Sequence, residues 1–486
     1  MNARQPKDGI PGTVATRRHG TRLPGAGAAG WAGTLALVGS GLVVAAVIPN
    51  AAQAVNPGPR CLGQPATIVG SADMDELVGT PGRDVVVSRG GDDFIDTGAG
   101  KDLVCSGDDF DNVRLGRGHD RALGGEGDDS LDGGRGRDIL RGQREVDALF
   151  GGEGDDHLYG GSGQSVIIEG LIGGPGDDML VGGPGLDSAL FFDSPRGVTA
   201  DLRTGTATGH GTDVLSDVEG VGGSNFADHI TGNHRGNGLF GQAGADTIHA
   251  GDSGTIAGGT ADAVSGGEGA DDISGGPGQD LLTYGHIPLG VVVDLAEGVA
   301  TGQGDDTLRG FEGVIGSRLN DRLTGGPHDD FLAGGFGDDA IDGRRGSDTA
   351  IYRDVPGPVT VVLDPELIGE HADNGPYAEG PEFGAGSDKL SGIDDIWGTS
   401  GRDHLYGDDG VNHIGGFSGN DRLAGFAGDD RLDGGDGEDV CEDRADQLRN
   451  CESVGARAAG RSADTSTDAG GGQSTAALSP WLGPAR

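Results

Sequence analysis

From Gly70 the chain reads GSADMDELV (70–78), GTPGRDVVV (79–87), SRGGDDFID (88–96), TGAGKDLVC (97–105), SGDDFDNVR (106–114), LGRGHDRAL (115–123), GGEGDDSLD (124–132), GGRGRDILR (133–141) and GQREVDALF (142–150), and GGEGDDHLY (151–159) keeps the register. The sixth place is Asp in every unit: Asp75, Asp84, Asp93, Asp102, Asp111, Asp120, Asp129, Asp138, Asp147 and Asp156. The eighth is aliphatic in almost all, as in Val86, Ile95, Val104, Leu131 and Leu140. Glycine at the first, second and fourth places permits positive φ, so the chain can turn tightly with carbonyls facing a ligand. The next three residues, D-x-U, suffice for one short strand whose alternation sends U inward. Two such units close a coil of about eighteen residues, and strands of equal parity stack at about 4.8 Å. Asp93, Asp111, Asp129 and Asp147 then share one edge, and Asp84, Asp102, Asp120, Asp138 and Asp156 the other. Like charges at that spacing repel by about 1 kcal/mol in water and about 3 to 4 kcal/mol at an effective dielectric near 20. An empty stack resists closing, and a hard dication bound by carboxylate and carbonyl oxygens turns the repulsion into attraction. Ca²⁺ accepts six or more flexible oxygen ligands, whereas Mg²⁺ wants a tight octahedron and Zn²⁺ wants Cys or His, which these turns lack.

The repeat GGxGxDxUx resembles the RTX, or hemolysin-type, calcium-binding nonapeptide. The resemblance implies an all-β fold, a parallel β-roll (an RTX-type β-solenoid), with Ca²⁺ as its cofactor. The same phase returns at Gly173 and Gly182 with Asp178 and Asp187. It continues over about residues 223–283 with Asp228, Asp246, Asp271 and Asp280, over 316–351 with Asp321, Asp330, Asp339 and Asp348, and over 398–442 with Asp403, Asp421, Asp430 and Asp439. These Asp residues, with Asp84 to Asp156, are the expected metal ligands. Asn237 and Asn412 hold the sixth place in two units, while Thr255 in an irregular stretch and Ser165 at the end of the first run are doubtful sites.

Three interruptions share a plan: an apolar strand, a Pro/Gly turn, VTADL, VVVDL or VTVVL, and a return through D-x-L-x-x-[FIV]-[DE]. They look like the β-rich linking units found between RTX blocks. The expected organisation is a signal peptide (1–54), a first block (55–190), a linking unit (191–222), a second block (223–283), a linking unit (284–315), a third block (316–351), a linking unit (352–397), a fourth block with a disulfide cap (398–454) and a disordered tail (455–486). Val362 stands where the other linking units carry Asp201 and Asp294.

Composition agrees with a fold held by something other than a large core. The apolar share is 34% and the aromatic share 4% of 486 residues, too little to fill ordinary layers. Thirty-four Lys and Arg face 78 Asp and Glu, which argues against nucleic acid or anionic lipid as partner. A disordered acidic chain would not hold Asp and Leu in fixed phase.

Arg4, Lys7, Arg17, Arg18 and Arg22 precede an apolar stretch over residues 31–48, and Ala52-Gln53-Ala54 follows. That order reads as a cleaved secretion signal, with Val55 as the mature start, against the alternative of an uncleaved anchor. Secretion fits the four cysteines, read as pairing Cys61 with Cys105 and Cys441 with Cys451, one of three possible connectivities. The chain carries no H-E-x-x-H or G-x-S-x-G, and its histidines, such as His119, His157, His229 and His404, fall in or beside repeat turns without a ligand partner. The expectation is a secreted, non-catalytic calcium-binding protein, structural or surface-associated, with no membrane span in the mature chain and its protein or glycan partner open. An adhesin and an enzyme with its site in the linking units are the alternatives.

Overall fold

In a computed structural model of the chain, residues 58–162, 169–254, 261–353, 355–364, 377–379, 385–442, 447–451 and 453–454 are described. The signal-peptide reading, Ser165, Thr255 and the 455–486 tail lie outside them. Nonapeptide units alternate between two sheets, and each sheet is built by parallel pairing of units two apart. Along one sheet Val86 pairs with Val104, Ala122, Leu140, Leu158 and Leu180 in turn. Along the other, Ile95 is followed by Val113, Leu131, Leu149, Leu171 and Ala189. These eighth-place residues are fully buried. The architecture is a parallel β-roll with one narrow aliphatic core, and among the described residues it has no helix.

The first-place residue also faces inward, where the turn leaves little room. Ser88, Thr97 and Ser106 occupy it in early units, and their buried hydroxyls bond carbonyls of the next rung, Thr97 Oγ1 to Leu115 O at 2.9 Å and Ser106 Oγ to Gly124 O at 3.1 Å.

The linking units are insertions into one sheet only. In the first, strands 199–201, 206–208 and 212–216 form an antiparallel meander. Its last strand docks parallel on 179–181 behind it, and its first strand parallel on 229–231 ahead. The second, with strands 292–294, 299–301 and 305–309, and the third, with 360–362, 377–379 and 387–391, repeat the arrangement. The opposite sheet runs straight past, with 187–190 beside 220–222. Each insertion gives one sheet two more strands than its partner, about 10 Å at the usual strand spacing. The core is larger there: Phe191, Val198, Ala200, Ala207, Leu215 and Val218 are all buried. Among the described residues neither sheet closes on itself; one runs from 68–69 to 453–454, the other from 76–78 to 447–449. Disulfides Cys61–Cys105 and Cys441–Cys451 clip the two ends.

Candidate metal centre

The sixth-place Asp residues sit where each strand begins, and their side chains are bound into two ladders. Along each ladder, Oδ1 of one sixth-place residue accepts the backbone N–H of the sixth-place residue one rung earlier. On one edge Asp84, Asp102, Asp120 and Asp138 donate to Asp102, Asp120, Asp138 and Asp156 at 2.7–2.8 Å, and Asp156 donates to Asp178. On the other, Asp93, Asp111 and Asp129 donate to Asp111, Asp129 and Asp147 at 2.9 Å. Later blocks repeat it: Asp228 to Asp246 to Asp271, Asp321 to Asp339, Asp330 to Asp348, Asp403 to Asp421 to Asp439, and Asn412 to Asp430. Asp187 and Asp280 are buried at the corresponding corners.

The second carboxylate oxygen separates these residues. In Asp93, Asp120, Asp129, Asp138, Asp156, Asp178, Asp246, Asp271, Asp339 and Asp421 Oδ2 is buried and has no hydrogen-bond partner, an arrangement that costs several kcal/mol for an ionised group left alone. In Asp84, Asp228, Asp321, Asp330 and Asp403 it accepts a backbone N–H of its own turn.

Burial pushes nine of the buried sixth-place carboxyls up against the amide bonds that lower them, and neighbouring Asp charges add to the rise. Asp129 and Asp178 are raised to about 8, Asp111, Asp138, Asp246, Asp339 and Asp421 to about 7, and Asp120 and Asp156 to about 6. When these carboxyls ionise, the neighbouring protein groups leave their negative charge under-compensated.

Where the first place is glycine, the carboxylate faces a gap that a Cβ would fill. A Cβ on Gly133 would stand 2.8 Å from Asp138 Oδ2 and 2.6 Å from the Gly151 carbonyl oxygen; on Gly151, 2.7 Å from Asp156 Oδ2 and 2.5 Å from Gly173 O. A carboxylate oxygen and the carbonyl oxygen of the next rung thus converge on one point between stacked turns. Among the described residues no three His, Cys, Asp or Glu side chains converge, so an ion here draws on backbone carbonyls, a donor set that suits Ca²⁺ and not Zn²⁺.

Several ladder residues escape the nonapeptide count. The linking units insert their own acids: Asp178, Asp271 and Asp339 donate to Asp213, Asp306 and Asp388 on one edge, and Asp187, Asp280 and Asp348 to Glu219, Glu312 and Asp394 on the other. The D-x-L-x-x-[FIV]-[DE] segment is their signal, because its D-x-L copies the sixth-to-eighth spacing. Asp262 is a further one; it accepts the Asn237 N–H at 2.7 Å and precedes the buried Val264 by two. By contrast Asp201 and Asp294 point to cations, Arg203 at 3.0 Å and Arg344 at 2.7 Å, and Arg203 holds the Asp201 carboxyl below its ordinary range.

A second ladder runs along the outer rim at the fifth place, in the opposite sense. Oδ1 of Asp128, Asp155, Asp329 and Asn420 accepts the N–H of the fifth-place residue one rung later, Val146, Asp177, Ser347 and Glu438. His119 Nδ1 does the same for Arg137, which gives that histidine a structural place.

The profile of the RTX calcium-binding nonapeptide repeat family matches residues 69–104, 106–140, 137–167, 171–189, 222–253, 256–285, 315–350, 388–416 and 418–441. Those segments span more than half of the chain, and the chain belongs to this family of calcium-binding repeat proteins. No curated protein matches it.

Proposed function

We propose that this chain is an exported, non-catalytic protein whose stacked turns bind Ca²⁺ and fold on doing so, serving as a structural or surface-associated component outside the cell. The observation that carries the reading is the buried, unpartnered Oδ2 repeated rung after rung beside a carbonyl oxygen. Asp93, Asp102, Asp111, Asp120, Asp129, Asp138, Asp156 and Asp178 in the first block, and Asp246, Asp271, Asp339, Asp348 and Asp421 beyond it, hold the ion together with the turn carbonyls. Asp147, Asp187, Asp280, Asp430 and Asp439 occupy the same corners. The ion supplies the positive charge that the ladder lacks. Export follows from the basic, apolar, A-x-A order of residues 1–54, and the two disulfides favour an oxidising destination. Among the described residues no helix is long and apolar enough to cross a membrane. Calorimetric titration of the secreted protein with Ca²⁺ and, in parallel, Mg²⁺ tests the binding: Ca²⁺ is expected to bind at several sites per chain and Mg²⁺ weakly. Equal response to both ions contradicts it.

A ligand-displaying surface protein is a second reading, supported by equivalent clefts in two linking units. One, of about 260 Å³, lies among Leu202, Arg203, Leu215, Val218, His234 and Arg235; the other, of about 160 Å³, among Leu295, Leu308, Arg309, Phe311 and His328. Both combine apolar side chains with a mixed rim, Arg203, Arg235 and Asp217 in the first and Arg309, Glu312 and Asp330 in the second. A glycan-array screen in saturating calcium, with Leu202 and Leu215 changed to Ala as control, separates the readings.

A further inference from the structure

The second place of each unit divides the turns into two kinds. In turns within a block its φ is positive, 127° at Gly107, 144° at Gly125, 89° at Gly134, 95° at Gly152 and Gly267, and 93° at Gly335. Residues that rarely adopt this conformation do so here as well: Arg89 at 97°, Gln143 at 93°, Gln242 at 77°, Arg344 and Phe417 at 69° and Phe426 at 71°. Left-handed backbone at a non-glycine residue costs on the order of 1 kcal/mol or more and persists where the surroundings impose it. With the peptide so turned, the second-place N–H can serve the next rung: Gly152 N donates to Gly173 O at 3.0 Å and Gly183 N to Asp217 O at 3.2 Å. It is then not available to the Asp of its own turn.

The first turn on each edge of every block is built the other way. Second-place residues Ser71 and Thr80, Ser224 and Asn233, Ser317 and Gly326, and Thr399 and Asp408 lie outside the left-handed range. In all eight, two per block in four blocks, the second-place N–H donates to the sixth-place side chain: to Asp75 and Asp84 at 2.6 Å, Asp228 at 2.6 Å, Asn237 at 2.7 Å, Asp321 and Asp330 at 2.5 Å, Asp403 at 2.6 Å and Asn412 at 2.9 Å. In seven of the eight the second-place side chain accepts a fourth-place N–H, as Ser224 Oγ does from Phe226 and Asn233 Oδ1 from Arg235, forming the local turn that Ser, Thr, Asn and Asp favour. After the linking units, Oδ1 of Asp228, Asp321 and Asp403 is doubly used, by Val198, Val291 and Val359 N–H and by the Ser224, Ser317 and Thr399 hydroxyls. Asn237 and Asn412, which carry no charge, use their amide Nδ2 to reach Glu219 O and Asp394 O, so these corners close with no net charge.

We propose that calcium occupies only the turns whose second-place residue has positive φ, and that the two turns opening each block are closed by protein hydrogen bonds and take no ion. Each block therefore starts on a calcium-independent rung, adjoining the amino-terminal cap or a linking meander, and the ion-dependent rungs are laid on it. Ser, Thr, Asn or Asp after the first-place Gly writes the closed turn in seven of the eight cases, Gly326 closing the eighth without such a side chain; Gly, Gln, Arg or Phe in the left-handed conformation writes the ion-binding one.

The proposal rests on the calcium reading, and one experiment separates the two. Bound calcium per chain is counted by equilibrium dialysis and atomic emission for the full protein and for two triple variants. Asp228→Asn/Asp321→Asn/Asp403→Asn alters opening turns; Asp246→Asn/Asp339→Asn/Asp421→Asn alters inner ones. The opening variant is expected to hold as many ions as the unaltered protein, and the inner variant at least three fewer. No calcium on the unaltered protein overturns the calcium reading itself. Calcium on the unaltered protein with equal losses in both variants overturns this proposal alone. Should a triple variant fail to fold, the pair Asp321→Asn and Asp339→Asn is counted in its place, with the same contrast expected.

Discussion

A Cβ on Gly125, at φ +144°, would meet the Gly107 carbonyl of the rung below, in a conformation that L side chains rarely adopt. Gly82, in an opening turn, has no such φ, and its nearest neighbour would be Thr80 Oγ1 at 3.8 Å. Gly125→Ala is therefore expected to destabilise the calcium-loaded roll by about 2 kcal/mol or more, while Gly82→Ala changes it by less than about 0.5 kcal/mol or stabilises it slightly. Urea unfolding in excess calcium measures both. The ladder carboxyls make a pH prediction at the same scale. In the ion-free fold Asp129, Asp138 and Asp178 titrate near 7 to 8, above the 3.8 of an unfolded Asp. Their protons stabilise the fold fully below about pH 4, and that contribution is lost as pH rises through 8. Chelator-treated protein is expected to keep more β structure at pH 5 than at pH 8, and calcium affinity to rise over the same interval because the ion replaces protons. Circular dichroism across that pH range, with and without chelator, checks both signs.

The strand and the linking meander were unequally legible. A nine-residue period exposes Asp138 and Leu140 because every rung repeats one environment, so chance is beaten by repetition. Asp213, Asp306 and Asp388 occupy the same environment only once per linking unit, with no neighbouring copy to set the count, and Asp262 is hidden because it follows Asn237 by 25 residues where the repeat spacing is 18. The second-place distinction was written in plain residues, Ser224 against Gly267, yet its meaning lies in which way a peptide N–H turns. The meander also carries its own test. Tyr284 is buried and its hydroxyl donates to Asp306 Oδ2 at 3.3 Å, whereas the corresponding residue of the first linking unit is Phe191. Tyr284→Phe is expected to cost about 1 kcal/mol by leaving the Asp306 oxygen without that donor. Leu140→Ala, in the roll core between Ala122 and Leu158, is expected to cost about 2 to 5 kcal/mol. Thermal unfolding in calcium ranks the two.

At the scale of the whole molecule, a net charge of −44 and a core one side chain wide leave little to hold the roll shut unaided. The disulfides close loops with sequence separations of 44 and 10 residues, which chain-entropy arguments value at about 4 and about 3 kcal/mol. They secure the two ends, where a solenoid frays, and do nothing for the carboxylate ladders between. If each ion-binding turn has an affinity near 10⁻⁴ M, 1 mM calcium contributes about 1.4 kcal/mol per turn, so about ten turns match the stability of an ordinary domain. Far-ultraviolet circular dichroism of the disulfide-intact protein, followed from chelator into millimolar Ca²⁺ with Mg²⁺ in parallel, measures this most directly. The account predicts a weak β signal in chelator, confined to the opening turns and linking meanders, and a cooperative gain of β structure with Ca²⁺ alone. A full β spectrum in chelator at pH 8, or the same gain with Mg²⁺, would contradict it.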